Sequence, residues 1–414
     1  MRFEHRAVPI VLAAVLIDTI GFGIVMPVLP ALIVTLKGGS LADAARTGGA
    51  LLIAFAAAQC FAGPILGTPV DRFGRRPVLL AAMIAFAVDY ALMAFAPTIG
   101  WLFLGRAVAG VAGAIYGPAN AVLADVTVPE KRGETFGLMC AAFGSGFIIG
   151  PAIGGLLAGF GPRAPFMAAG ALAVLNAVWM ALAMPETLAR ADRRAFDWRR
   201  ANAFGAFKPV FHAGGATPLL AIAFCWQFAQ MVYPATWAFW CGIRFGWSAH
   251  MIGLSLATSG VTMALTQIFL TGRVIRRFGA VRTVMLGMVI AIVAFTALNF
   301  VTAGWLVFAL IPIGSLSGFV FPAVNGLLSS SVDAANQGAL QGGMASLGSV
   351  AEVIGPLAMT QTLALGTEHG APGAAFLLSA AFVLLALAIL WRFRVGRPIS
   401  VKSIHDNDSQ VAMP

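Results

Sequence analysis

Apolar residues come in long runs, separated by short polar stretches, along almost the whole of the 414-residue chain. Twelve runs can be marked, roughly 8–36, 47–66, 78–96, 101–124, 134–158, 165–184, 216–241, 251–271, 283–302, 305–328, 338–365 and 372–391. Each is long enough for one helical crossing of a bilayer, which takes about 20 apolar residues. Strands of a membrane barrel would be about 10 residues long and alternating, and that pattern is not seen. Small residues recur every fourth position in two of the runs: Gly105, Ala109, Gly113 and Gly117, then Gly146, Gly150, Gly154 and Ala158. Such stripes let helix backbones approach closely where lipid supplies little drive for association. Pro151 would bend the fifth helix unless neighbours satisfy the carbonyl it frees.

The polar interruptions repeat. Gly67 to Pro77 reads GTPVDRFGRRP, a compact charged turn, and a weaker copy, GRVIRRFG, spans Gly272 to Gly279. The offset of 205 residues also carries Asn120 to Asn325, Gly133 to Gly338 and Gly150–Pro151 to Gly355–Pro356. The period is too long for a solenoid. It predicts an all-α membrane protein of twelve transmembrane helices in two pseudo-symmetric six-helix bundles, a parallel duplication of the kind known in transporters. The expected divisions are an N-terminal bundle over 1–187, a linker over 188–212, a C-terminal bundle over 213–397, and a disordered tail over 398–414. The linker is expected to have room for a short surface helix.

Composition narrows the class. The chain is 60% apolar and 10% charged, with a mean hydropathy of +0.90, which no soluble protein of this length could hide from water. The net charge of +10 would suit nucleic acid, but its distribution argues for topology instead. Of 26 Lys and Arg residues, 21 fall at the termini and in loops 2–3, 4–5, 6–7 and 8–9. Lys37, Arg46, Arg163 and Arg244 are the exceptions on the other side, and Arg106 lies inside a run. Cytoplasmic loops carry the Lys/Arg excess, so a multi-pass protein of the bacterial inner membrane with both termini cytoplasmic is expected. The first run is too long for a cleaved signal, contains Asp18 and lacks a small-residue cleavage site. Cys60, Cys140, Cys225 and Cys241 have no metal-ligand spacing and read as small core residues.

Several stretches resemble the drug/proton antiporters of the major facilitator superfamily. GTPVDRFGRR resembles that superfamily's loop 2–3 signature. LGRAVAGVAGA (Leu104–Ala114) resembles its span 4 signature with a buried arginine, and GSGFIIGPAIGG (Gly144–Gly155) its antiporter signature in span 5. IDTIGFGIVMPVLP (Ile17–Pro30), DRFGRRPVLL (Asp71–Leu80), VDYALMA (Val88–Ala94) and GALQG (Gly338–Gly342) are similar to the bacterial tetracycline/proton antiporters. The resemblance implies alternating access driven by the proton gradient. The export substrate would be a drug-like amphiphile, with tetracycline chelated to a divalent cation such as Mg2+ in the lead. Two departures stand out. The positions matching that family's span 8 histidine and span 9 aspartate are Met263 and Ala291, and no histidine falls within any run. An exporter of other drugs, and a proton-coupled uptake symporter for a sugar or small metabolite, stay open as alternatives.

Ionisable residues at mid-membrane cost roughly 3 kcal/mol or more and are candidates for function. Asp18, Asp89 and Glu352 qualify as acids that load and release protons, since burial favours the neutral form of a carboxyl. The resemblance supports Asp18 and Asp89 for both coupling and substrate, and Arg106 as the span 4 arginine of proton coupling. The plain alternatives are carboxyls that hold helices together, and an Arg106 that snorkels to the headgroups. Glu352 is expected to replace the missing span 9 acid, with Gln341 on its face. Gln59, Asn120, Gln227, Gln230, Gln267 and Asn325 are polar candidates for a substrate cavity. Tyr233 and Trp237 are aromatic platforms for a planar drug, while Trp240 suits an interfacial belt.

The charged turn should gate rather than bind. Gly67, Asp71, Arg72, Gly74, Arg75 and Arg76 lie at its face of the membrane. The resemblance implies that Asp71 meets the N-terminus of span 11, where helix N–H groups favour an anion, and that Arg75 pairs with Asp125. Arg72 and Arg76 are equally well explained as topology anchors. No bound cofactor or metal is expected, and GxxxxGK[ST] is absent. The expected partners are a small-molecule drug, protons and the lipid bilayer, with no nucleic acid and a monomeric chain.

Overall fold

The computed structural model describes residues 4–113, 116–128, 131–188, 193, 217–332 and 337–393. All of the regular elements among them are helical. Span 1 is Glu4–Val25, continued after a turn by Leu29–Lys37. Span 2 is Leu41–Phe73 and span 3 Arg75–Phe95. Span 4 runs as Ile99–Gly113 and Tyr116–Val126, span 5 as Arg132–Leu157 and span 6 as Ala164–Ala183. Span 7 is Thr217–Gln230 and Val232–Phe245, span 8 Ala249–Phe278 and span 9 Ala280–Phe300. Span 10 is Gly304–Ser330, span 11 Gln337–Glu368 and span 12 Ala374–Arg392. Eleven of these are long and apolar enough to cross a membrane. Span 11 has the length, 32 residues, but its Glu352, Gln361 and many small residues dilute its apolar character. Of the expected linker, 189–192 and 194–212 lie outside the described residues, as does the tail.

The packing in one half repeats in the other. Span 1 packs on 5 and 6, span 3 on 4 and 6, and span 2 on 4. Span 7 likewise packs on 11 and 12, span 9 on 10 and 12, and span 8 on 10. The stripe in span 5 lies along span 1. A side chain on Gly146 would strike Thr19 at 2.6 Å, and one on Gly150 would strike Ile20 and Gly23 at 2.6–2.7 Å. Pro151 fits into the same crossing, its ring facing Gly23, and the helix stays continuous through it.

Four expectations need correction. Gly67–Pro77 is not an open turn: span 2 stays helical to Phe73, Gly74 alone breaks the chain, and span 3 starts at Arg75. Gly74 has φ 105° and its copy Gly279 has φ 79°, a region that costs a residue with a Cβ. One glycine therefore does what a longer turn was expected to do. Span 1 is not one helix over 8–36; it breaks at 26–28, beside Pro27. Finally, His5 and His250 lie in the first turns of spans 1 and 8 rather than outside them, and Cys140 is exposed rather than core.

The halves meet through spans 5 and 8, 2 and 11, and 2 and 7. The closest crossings lie at the end opposite Gly74 and Gly279. There Gly49 fits against Thr360, Gly48 against Phe239, Gly253 against Pro151 and Gly155, and Arg46 pairs with Glu368 at 2.5 Å. Toward the basic end, side chains at Gly117, Gly137, Gly144 and Gly326 would meet nothing within 4 Å. The described crossings close the sparsely charged end.

Candidate functional site in the membrane core

In the N-terminal half the structure brings three sequence candidates together. Asp89 on span 3 is fully buried and forms an ion pair with Arg106 on span 4, itself 5% exposed. Span 4 can come this close because residue 105 is glycine: a Cβ there would sit 2.7 Å from Asp89 Oδ1. The Arg106 guanidinium also lies 5.8 Å from the Phe55 ring centre, on span 2. Arg106 therefore does not snorkel. Asp89 Oδ1 and Arg106 Nε have no hydrogen-bond partner among the described residues.

Asp18 on span 1 is 8% exposed and near enough to Asp89 to feel its charge. It has neither a hydrogen bond nor an ion pair to a described residue. Tyr90, next to Asp89, closes the floor between spans 1 and 6, its hydroxyl 3.0 Å from where a Cβ of Gly21 would stand. Gln59 lies on span 2 beside Phe55, facing Gly113. Asn120 is exposed further along span 4. The cluster is thus an acid with no partner, beside an acid whose charge an arginine offsets. Such a site can change its charge by one proton without unpairing Arg106.

The C-terminal half is arranged differently. Trp237 is buried; its indole N–H donates to Ser255 Oγ at 2.9 Å and its ring packs on Trp240 and Phe376. Trp240 is fully buried, which rules out an interfacial belt at that position. Tyr233 packs on Trp237 and Phe295. It lines a cavity of about 60 Å³ with Trp237, Ser259 and Gly314, far below the roughly 300–1,000 Å³ of a drug site. Trp237 and Trp240 are buried in the packing of this half, while Tyr233 is half-buried and keeps an edge on the cavity.

Gln267 lies on a six-residue π-helical turn, Thr266–Thr271, in span 8. Its amide donates to the Gly318 carbonyl at 3.0 Å, on the 3-10 turn that interrupts span 10. Two irregular turns are therefore tied to one another. Met263 packs at Gly318 and Ala291 is buried in span 9. Gln227 and Gln230 lie on span 7, the first against Gly348 of span 11. Gln230 Oε1 and Asn325 Oδ1 are buried with no partner among the described residues. Glu352 is exposed, at the middle of span 11, and pairs with no described side chain.

At the basic end Arg75 Nε donates to Asp125 Oδ2 at 3.1 Å. The side chains of Asp71 and Gln341 lie outside the described ones, and so does the expected contact of Asp71 with span 11. Arg72 is exposed and stacks over Phe73, while Arg76 donates to the Ala181 carbonyl of span 6. Sequence reasoning missed Glu186. Its carboxylate fills the space beside Gly74, accepts from the Arg75 N–H at 2.9 Å and the Leu188 N–H at 3.0 Å, and lies 3.9 Å from Arg193. A carboxylate just past the end of span 6, among linker arginines, was the available signal.

The model of the Major Facilitator Superfamily matches residues 11–248 and 219–409. The chain belongs to the major facilitator superfamily. It is 38% identical over 397 residues to the class C tetracycline resistance protein of Escherichia coli, covering 96% of this chain and 99% of that one. It is also 38% identical over 386 residues to the class G tetracycline resistance protein of Vibrio anguillarum, covering 92% and 96%. In fold it matches a bacterial homolog of the human lysosomal transporter Spinster, crystallised inward-facing and unoccupied. The TM-score is 0.75 at 17% identity, over 94% of this chain and 97% of that one. This major facilitator chain is accordingly a multi-pass membrane transporter of small molecules, not an enzyme.

Proposed function

We propose that this transporter exports a drug-like amphiphile in exchange for protons, with tetracycline as a divalent-cation chelate the leading substrate. The observation that carries the reading is the buried group of Asp18, Asp89 and Arg106. A charged carboxyl at mid-membrane costs roughly 2.5–3.5 kcal/mol, so Asp18 has strong reason to be neutral or to face a cation. Proton and substrate then contend for one group, which is what exchange requires. Relatives that carry the name tetracycline resistance support the substrate.

The basic end is cytoplasmic in this reading, by the distribution of Lys and Arg. The crossings at the other end then leave the cavity open to the cytoplasm of the inner membrane. Outward opening separates Gly49 from Thr360 and Arg46 from Glu368, and the halves rock about the cavity. Asp71 closes the cytoplasmic side against span 11, while Arg75, Asp125 and Glu186, already joined to one another, tie spans 3, 4 and 6 within the N-terminal half. Gln59, Asn120, Gln227, Gln230 and Asn325 supply polar contacts to the substrate. No bound cofactor enters; the proton gradient drives a monomer, and Mg2+ arrives with the drug.

Inverted membrane vesicles with an imposed proton gradient test this directly. Mg2+–tetracycline should accumulate inside and release protons outward. Accumulation of another amphiphile without tetracycline would remove the substrate and keep the class, whereas no substrate-induced proton movement would remove the exchange itself.

A further inference from the structure

Glu352 stands at the centre of span 11, sixteenth of the 32 residues in Gln337–Glu368. Gly348, Glu352 and Gly355 fall at i, i+4 and i+7 and share one helical face. That face meets span 7. A Cβ on Gly348 would lie 2.7 Å from Gln227 Oε1, and one on Gly355 would lie 2.5 Å from Met231 Cγ. Two glycines thus seat span 11 on span 7, and between them projects one long acidic side chain. It is exposed rather than packed. A face turned to span 7 does not look out to lipid, so that exposure belongs to the crevice between the halves.

Among the described residues the Glu352 carboxylate has no ion-pair partner. Arg244 donates to the Val301 carbonyl at the far end of span 7. Arg273, Arg276, Arg277 and Arg282 lie around Gly279, at the basic end. One turn away on the same face, at Gly348, span 7 presents the amide of Gln227. Gln227 and Gln230, one helical turn apart on span 7, can donate and accept, and Gln230 Oε1 is a buried acceptor with no donor among the described residues.

Glu352 faces the crevice and makes no ion pair or hydrogen bond with a described residue, so it does not act as a tie across the seam. Here an acceptor and a carboxylate wait in one seam for positive charge and N–H donors. We propose that Glu352, with Gln227 and Gln230, forms a subsite on the C-terminal half for the cationic part of the transported molecule. A protonated amine and a metal chelate of net positive charge share this chemistry. The proposal rests on the export reading and deepens it: the N-terminal acids carry the proton site, and Glu352 selects the substrate's charge. It also adds a second role to the acid expected to replace that of span 9.

The test is equilibrium binding to purified protein in nanodiscs, without a gradient, so that it stands apart from proton exchange. Ethidium, a permanent fluorescent cation, is the first probe, and Mg2+–tetracycline competing against it is the second. Glu352→Gln should weaken ethidium binding tenfold or more, Glu352→Asp should stay within about threefold of wild type, and Gln227→Ala should lose severalfold. Both probes should fall together if amine and chelate use one subsite. Unchanged ethidium binding in Glu352→Gln, or no binding by the wild type, overturns the proposal. Equal losses in Glu352→Gln and Glu352→Asp do so too, because they would mark a packing defect. Proton exchange in vesicles that survives any of these results leaves the export reading standing by itself.

Discussion

Removing Asp89 should destabilise the N-terminal half more than any other single loss of charge in it. Asp89→Asn strands the Arg106 guanidinium at 5% exposure, with an Nε that already lacks a partner. Breaking one side of a buried ion pair costs about 3–5 kcal/mol. The remaining relief is the Phe55 ring at 5.8 Å, a contact of about 1–2 kcal/mol when desolvated. Arginine cannot shed its proton to escape. Arg106→Gln leaves a carboxylate instead, and a carboxylate can neutralise itself by taking up a proton, so this variant should cost less. Asp89→Asn combined with Arg106→Gln removes both charges and lets two amides face one another. It should recover most of the loss while remaining inactive in transport. SDS-titrated unfolding in mixed micelles gives the three stabilities and hence the coupling energy of the pair. A coupling energy under about 1 kcal/mol, the range of exposed pairs, would refute the claim that this buried pair holds spans 3 and 4 together.

Asp18→Asn should abolish proton release on tetracycline addition while the protein still folds; wild-type proton release in that variant removes Asp18 from coupling. Gly74→Ala should lower both stability and expression, because a Cβ at φ 105° is strained and collides with Glu186. The expected cost is on the order of 1–3 kcal/mol, and a gain in melting temperature would show that the hinge geometry is wrong. In a background lacking the four native cysteines, Gly49→Cys with Thr360→Cys should form a disulfide readily, since the two side-chain positions touch. Oxidation should stop transport and reductant restore it. Continued transport by the oxidised protein would mean that this crossing never has to open.

The local pattern of the chain determined a good deal. Runs of apolar residues fix how many helices there are, because a crossing needs a set length whatever it packs against. The 205-residue offset fixes that the halves share a pattern. The stripe Gly146, Gly150, Gly154 announces a close helix crossing, and that crossing is with span 1. Periodicity, however, names a face and not its neighbour.

Which neighbour each face meets was decided only in three dimensions. Asp89 and Arg106 are 17 residues apart, yet their pairing depends on spans 3 and 4 closing over Gly105. Trp237 and Trp240 read equally well as platform, belt or core until Ser255 and Phe376 are placed around them. Gln267 is a cavity candidate by residue type and a tie between two irregular turns by position. Glu186 escaped notice because its partners, Gly74 and Arg75, are more than a hundred residues away. Hydrophobic length is a property of a segment against lipid and can be read one segment at a time. A polar side chain's role depends on what offsets its lost hydration, and distant parts of the chain supply that.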